Sequence, residues 1–239
     1  MKGDAVIILH GWGSSAHSFD RIKEALIKGS FRVYVPDLPG FGGAAEPPSD
    51  WRLNDYATFV LRFAEEQRID KFYLLGHSFG GQVGILFAAR FPERVKGLIL
   101  YGAAAVRRKD SFKRQIFMVF AKTGKKFLSF PPFRFLQRPA ARLLYKTAGS
   151  VDYHRASDTM KSVMRTILKE DVTSFLPRIS APTLLIWGEH DRATPLADAE
   201  IIRKSLPNAT LAVIAGAGHS AHKEQPEKFL ESLLPFLLK

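Results

Sequence analysis

Three polar residues stand where apolar runs give way to glycine-rich turns. Ser78 lies in Gly76-His77-Ser78-Phe79-Gly80-Gly81, Asp191 in Gly188-Glu189-His190-Asp191, and His219 in Gly216-Ala217-Gly218-His219. An unaided hydroxyl is a poor nucleophile at neutral pH. A neutral imidazole can take its proton as the oxygen attacks and return it to the leaving group. A carboxylate on the other ring nitrogen fixes the tautomer and stabilises the imidazolium. Serine, aspartate and histidine therefore suit acyl transfer through a covalent intermediate. Asp191 is the favoured acid, and Glu189 in the same loop is the other carboxylate that the spacing leaves open. The strand before Gly102-Ala103-Ala104 ends without a carboxylate, which removes another place for the acid.

The pentapeptide Gly-x-Ser-x-Gly gains its meaning from its surroundings. Phe72 to Leu75 read as a strand and Gln82 to Phe91 as a helix, so Ser78 falls on a sharp strand-to-helix turn. Such a turn forces strained backbone angles on the serine. Glycines at 76 and 80 allow strand and helix to approach closely, since neither carries a Cβ. An oxyanion that develops on the substrate needs two preorganised N–H donors. The expected donors are the backbone amides of Phe79, directly after the nucleophile, and of Trp12 in His10-Gly11-Trp12.

The remaining histidines and acids have plainer readings. His10 should pin neighbouring backbone. His77 is a candidate substrate-pocket residue, although its position is also often buried beside such a turn. His190 and His222 read as loop residues. No spacing supports a metal at Asp37 or His219, so neither metal nor cofactor is expected.

These residues need elements to position them. Apolar runs at Ala5–Leu9, Phe31–Val35, Phe72–Leu75, Gly97–Tyr101, Thr183–Trp187 and Thr210–Ile214 read as strands. Helical spacing fills His17–Ile27, Asp55–Gln67 and Pro226–Leu238. Alternating strands and helices imply a parallel sheet covered on both faces. His10, Trp12, Ser78, Asp191 and His219 all follow strands, so one sheet edge should gather them.

From 103 to 175 the pattern becomes helical and basic, and strand character is lost. We therefore expect a core of 1–102 and 176–239 interrupted by a helical insertion at 103–175. The whole chain carries a formal charge of +12. Between Arg107 and Arg155 stand 13 Lys/Arg and two acids, Asp110 and Asp152, so nearly all the excess is regional. Phe112, Phe117 and Phe120 suggest an apolar underside that lines an acyl pocket. Arg134, Arg138 and Arg142 recur at helical spacing and could attract an anionic partner: an acidic carrier protein, an anionic membrane surface or a charged substrate. Nucleic acid is not expected, because no recognised module accompanies the charge.

With 239 residues and 46% hydrophobic content the chain can build one sizeable core. It has no cysteine, which excludes disulfides and a thiol nucleophile. No apolar run reaches about 18 residues, so no membrane span is expected. The start of the chain shows no signal peptide, and a cytoplasmic location is the expectation.

The motifs His10-Gly11-Trp12-Gly13, Asp37-Leu38-Pro39-Gly40-Phe41-Gly42, Gly76 to Gly81, Pro182 to Asp191 and Gly218-His219 resemble those of the α/β-hydrolase superfamily. The order Ser, Asp, His along the chain is that family's order. The resemblance is to the capped branch with carboxylesterases, C–C bond hydrolases and cofactor-free haloperoxidases, and it covers the chain outside 103–175. It implies Ser78 as nucleophile, Asp191 as acid, His219 as base, and Trp12 and Phe79 as oxyanion donors. A serine at the turn speaks against haloalkane dehalogenases and epoxide hydrolases, which use Asp there. The first strand lies almost at Met1, so two strands usual in the family are missing and a sheet of about six is expected. That leaves an exposed edge. The basic insertion and His-Gly-Trp-Gly are also similar to esterases that cleave pimeloyl-carrier-protein methyl ester, although those typically carry Trp at the position of His77. A non-catalytic binding protein on the same scaffold would usually lack a triad member, and here none is missing.

Overall fold

A computed structural model describes residues 3–107 and 156–239. Met1–Val106 and Asp158–Lys239 form one compact unit, separate from Arg107–Ser157. The first unit contains strands β1 (Ala5–Leu9), β2 (Arg32–Tyr34), β3 (Phe72–His77), β4 (Val95–Tyr101), β5 (Thr183–Gly188) and β6 (Ala209–Ile214). They form one six-stranded sheet in the order β2-β1-β3-β4-β5-β6. Every pairing is parallel. The helices described are α1 (Asp20–Lys28), α2 (Leu53–Glu66), α3 (Phe79–Arg90), α4 (Asp158–Ile167), α5 (Leu196–Ser205), α6 (Ala221–Glu224) and α7 (Pro226–Leu237).

The central strands β1, β3 and β5 are buried along their whole length. That is why they read as unbroken apolar runs: both faces of a parallel sheet are covered. Side chains alternate between the faces. On one face Val6, Ile8, Tyr73, Leu75, Ile99, Tyr101, Leu184 and Ile186 join a core with Phe19, with Ile22 and Leu26 of α1, and with Phe229, Leu233 and Leu237 of α7. The helical residues recur at intervals of four, which gathers them on one stripe of each helix. Each such side chain contributes about 1.5–3 kcal/mol by leaving water. On the other face α3 is buried from Phe79 to Ala88. Its Phe87 ring meets Phe72 at 5.6 Å.

Local chemistry moves some boundaries away from those expected. The helix after Ser78 begins at Phe79, three residues before the first helical residue read from sequence. Helix α2 begins at Leu53, because the Asp55 carboxylate accepts the Arg52 N–H at 2.8 Å and caps the first turn. Helix α4 lies inside the span assigned to the insertion, yet by compactness it groups with the sheet. Its Met160, Val163 and Ile167 are buried.

Candidate active site

The turn at Ser78 is built by steric necessity. Ser78 has φ 52° and ψ −111°, an uncommon conformation for a residue with a Cβ. Such strain costs about 1–3 kcal/mol and needs surrounding structure to hold it. Main-chain bonds supply that hold. Ser78 N donates to Tyr101 O at 3.0 Å, and Ser78 O accepts from Gly81 N at 3.0 Å and Ala104 N at 3.1 Å. A Cβ on Gly76 would lie 2.4 Å from Gly80 O, and one on Gly80 would lie 2.3 Å from Leu9 O. Only glycine lets β3, α3 and β1 meet there. The Ser78 side chain is neither sealed in nor hydrogen-bonded among the described residues. Catalytic hydrogen bonds commonly tighten only once substrate is bound.

The candidate acid and base, Asp191 and His219, come from the loops after β5 and β6. Glu189 N donates to Ile214 O at 3.1 Å and His190 N to Ala217 O at 2.8 Å, which stitches the two loops together. Asp191 Oδ2 lies 2.7 Å from His219 Nδ1. Asp191 is otherwise satisfied from within its own turn. Its Oδ1 accepts the N–H groups of Ala193 and Thr194, both at 2.9 Å, and its Oδ2 accepts the Thr194 hydroxyl at 2.8 Å. Burial alone would raise the Asp191 pKa. The bond to His219, its charge and the Thr194 donors outweigh burial and hold the carboxyl below its ordinary value. The carboxylate can only accept, so His219 carries a proton on Nδ1 and keeps Nε2 free as a base. The base loop is capped in turn by Glu224, which accepts Gly218 N at 2.6 Å and Ser220 N at 3.2 Å.

The Trp12 loop follows β1. His10 is fully buried, and its Nε2 accepts Leu38 N at 3.0 Å while Nδ1 donates to Gly11 O at 2.9 Å. Burial lowers its pKa against the opposing pull of Gly11 O and the Asp37 carboxylate. A neutral ring with Nε2 committed to Leu38 makes no ion pair with Asp37, whose nearest oxygen is 4.0 Å away. Asp37 binds main chain instead, accepting Ala16 N at 2.7 Å and Gly43 N at 2.9 Å. Trp12 packs edge-on against Phe41 at 4.8 Å and Phe79 at 5.3 Å. Phe79 opens α3, and a helix leaves its first amides without internal acceptors. No acceptor among the described residues takes the Trp12 N–H. Both expected oxyanion donors are thus uncommitted, beside the positive end of α3.

The structure brings Asp191 and His219 together and sets Gly102 at the junction. A Cβ there would lie 3.2 Å from Asp191 Oδ2 and from the His219 ring. Glu189 takes another part: its carboxylate accepts Gly216 N at 2.8 Å. His10 pins backbone as its sequence context predicts. Of the two readings of His77, pocket residue or buried beside the turn, the packing matches the second: the residue is 7% exposed, and its ring stacks on Tyr101 at 4.4 Å and bonds through Nε2 to His219 O at 3.0 Å. His222 was read as a loop residue, but it lies buried in α6 and stacks on Phe19 at 4.3 Å. Phe112, Phe117, Phe120, Arg134, Arg138 and Arg142 lie outside the described residues. Thr194, Tyr101 and Glu224 were missed. Thr194 alone left a local signal: a hydroxyl three residues after an aspartate is a recurrent turn pattern. No group of His, Asp and Glu among the described residues has metal-holding geometry. No helix among them is long and apolar enough to cross a membrane.

A parallel sheet with a strained serine after β3, an acid after β5 and a histidine after β6 is the architecture of the alpha/beta hydrolase fold, and the family model of that description matches residues 4–226. The chain belongs to this family. Among its relatives is the pimeloyl-[acyl-carrier protein] methyl ester esterase of Nitrosomonas europaea, 28% identical over 96% of this chain and 94% of that protein. The 2-hydroxy-6-oxononadienedioate/2-hydroxy-6-oxononatrienedioate hydrolase 1 of Pseudomonas putida is also 28% identical, over 98% of this chain and 88% of its own. Among solved structures, a thermophilic esterase from Thermogutta terrifontis superposes with a TM-score of 0.75 at 25% identity, covering 99% of this chain and 90% of that one.

Proposed function

We propose that this chain is a serine hydrolase that cleaves carboxylic esters through an acyl-enzyme on Ser78. The observation that carries this reading is the 2.7 Å contact between His219 Nδ1 and Asp191 Oδ2, at the sheet edge where Ser78 sits strained and partly buried. Ser78 Oγ adds to the ester carbonyl carbon as its proton passes to His219 Nε2. The carbonyl oxygen takes up the negative charge and accepts the amides of Trp12 and Phe79. Collapse breaks the bond to the alcohol, which leaves with the proton from His219. Water then adds to the acyl carbon, gives its proton to His219, and the acid departs as that proton returns to Ser78. Asp191 stays ionised and stabilises the imidazolium at both stages. A cytoplasmic location is part of this reading and is testable by fractionation.

The test is steady-state hydrolysis of p-nitrophenyl esters from acetate to palmitate, with Ser78→Ala as control. Turnover that disappears in the variant, while the fold is retained, supports the reading. A variant near the wild-type rate overturns it. A panel of C–C substrates run alongside separates the related hydrolase chemistry with the same triad.

A second reading is favoured by one observation: 13 Lys/Arg against two acids between Arg107 and Arg155. The physiological ester would then sit on an acidic carrier protein, as the name of the Nitrosomonas relative describes for that enzyme. Replacing Arg134, Arg138 and Arg142 with Ala should weaken use of a carrier-bound ester in a salt-dependent way and leave short neutral esters unchanged. Equal losses on both substrates would count against it.

A further inference from the structure

Below the site lies a buried polar cluster that the proposed mechanism does not use. It consists of His77, Tyr101 and His222, with the main-chain carbonyl of His219 at its centre. His219 O accepts the Tyr101 hydroxyl at 2.8 Å and His77 Nε2 at 3.0 Å. A carbonyl has two lone pairs, and both are occupied. The Tyr101 oxygen in turn lies 3.3 Å from His222 N and 3.1 Å from His222 Nδ1.

The protons can be assigned from these contacts. A carbonyl only accepts, so His77 carries its proton on Nε2. Tyr101 has one proton, and its shorter contact is to the carbonyl. The hydroxyl therefore donates to His219 O and accepts from His222 N–H and Nδ1–H. Both histidines are neutral in this arrangement. Burial pushes the His77 pKa well below its ordinary value, helped by the charges of His219 and His222. Burial, then Lys223 and His219, pushes His222 down to about 3.

Tyr101 and His77 are partners in the sheet, paired across β3 and β4. Tyr101 O also accepts the Ser78 N–H. One residue thus holds the main chain of the nucleophile through its carbonyl and the main chain of the base through its hydroxyl. His77 directly precedes the nucleophile. Asp191 grips the His219 ring at Nδ1, but a ring held at one nitrogen can still swing if its Cα moves. His219 lies in a loop between β6 and the four-residue helix α6, with no strand to fix it.

Resting on the assignment of Ser78 and His219 above, we propose that Tyr101 and His77 are positioning residues for the base: they clamp the His219 carbonyl and so fix Nε2 relative to Ser78, with His222 orienting the Tyr101 hydroxyl. The clamp is distinct from the acid, which acts on the opposite end of the same residue.

The experiment compares wild type, Tyr101→Phe, His77→Leu and His77→Gln. The substrate is a short p-nitrophenyl ester, and rates are expressed per active site titrated with a serine-directed phosphonate. Loss of one hydrogen bond on the carbonyl should lower kcat about tenfold in Tyr101→Phe and in His77→Leu, with KM changed by less than about twofold. His77→Gln puts an amide donor near the former Nε2 and should recover most of the loss. A residue that only supports the fold would reduce the number of titratable sites and leave kcat per site unchanged. That result in Tyr101→Phe overturns the proposal, as does a His77→Gln variant no faster than His77→Leu. Tyr101→Phe keeps the buried ring and decides the matter if the His77 variants do not fold. Failure of the phosphonate to label Ser78 in wild type would instead remove the nucleophile assignment, and the clamp with it.

Discussion

The proposed nucleophile and the proposed acid–base pair of this site are held in place by different means. Around Ser78 the constraints are main-chain: a positive φ, bonds to Tyr101 and Ala104, and glycines at 76 and 80 whose missing Cβ atoms lets three elements meet. Around Asp191 and His219 the constraints are side-chain hydrogen bonds, from Thr194, Glu224, Tyr101 and His77. The reason is topological. Ser78 follows a fully buried central strand and opens a buried helix, so packing can fix it. Asp191 and His219 sit in loops, where few apolar contacts are available and polar groups must do the fixing. Steric positioning tolerates almost no added volume. Polar positioning fails by degrees as single donors are removed.

The largest effect should come from the polar side. Asp191→Asn replaces an acceptor-only group with one that can present an amide to His219 and stabilise the wrong tautomer. A fall in kcat of about 10⁴-fold is expected, with the fold intact by circular dichroism. A fall below about tenfold would mean that Asp191 is not the partner that sets the base.

Gly80→Ala should come next and should damage activity and stability together. Its Cβ would sit 2.3 Å from Leu9 O, which is main chain and cannot step aside, so α3 must move. A displacement of about 1 Å at the nucleophile is worth about 100-fold in rate. Kinetics and a thermal midpoint on the same sample check this. An intact midpoint with full activity would refute the steric account of the turn. Thr194→Val, by contrast, removes one of the four hydrogen bonds to Asp191 and leaves the main-chain donors in place. We expect a loss of about tenfold in kcat and little change in KM.

The last effect is on stability in mild acid and not on rate. His222 titrates at about 3 when folded, against an ordinary value of 6.5. His77 and His10 are also held below that value, chiefly by burial. The unfolded chain therefore binds protons that the folded chain refuses, and stability falls as pH drops from 6.5 toward the folded values. Each such histidine contributes a slope of up to about 1.4 kcal/mol per pH unit. The urea midpoint should decrease between pH 7 and pH 5, and His222→Gln should flatten the dependence. An unchanged midpoint in wild type would contradict the neutral, buried state of the cluster.

The same contrast explains what could be read from sequence. The Ser78 turn, the Trp12 loop, Asp191 and His219 could be picked out as candidates because each is a local pattern: a glycine-containing turn shortly after an apolar run. The sheet was legible for a related reason, since strands buried on both faces leave unbroken hydrophobic stretches. The supports for His219 were not legible. Tyr101 ends an apolar strand and reads as one more core residue, because its hydroxyl meets a carbonyl 118 positions later. His77 reads from sequence as a pocket residue or, more often for its position, a buried one, and only the meeting of β3 with the His219 loop separates the two. His222 looked like loop because α6 spans four residues, too few to show a period. Glu224 was unremarked for the same reason. Helix α4 shows how charge can mislead: Asp158, Lys161 and Arg165 give it a polar side that matched the basic stretch before it, while Met160, Val163 and Ile167 belong to the sheet's unit.

The proposed mechanism requires that Ser78 become acylated during turnover. The most direct measurement is acid quench of the enzyme during hydrolysis of a p-nitrophenyl ester, followed by peptide mass spectrometry, with Ser78→Ala in parallel. Acylation of Ser78 gives a mass increase equal to the acyl group on the peptide containing Ser78, absent from the variant, together with loss of turnover in that variant. An acyl group found on another residue, or a variant that turns over at the wild-type rate, would contradict it.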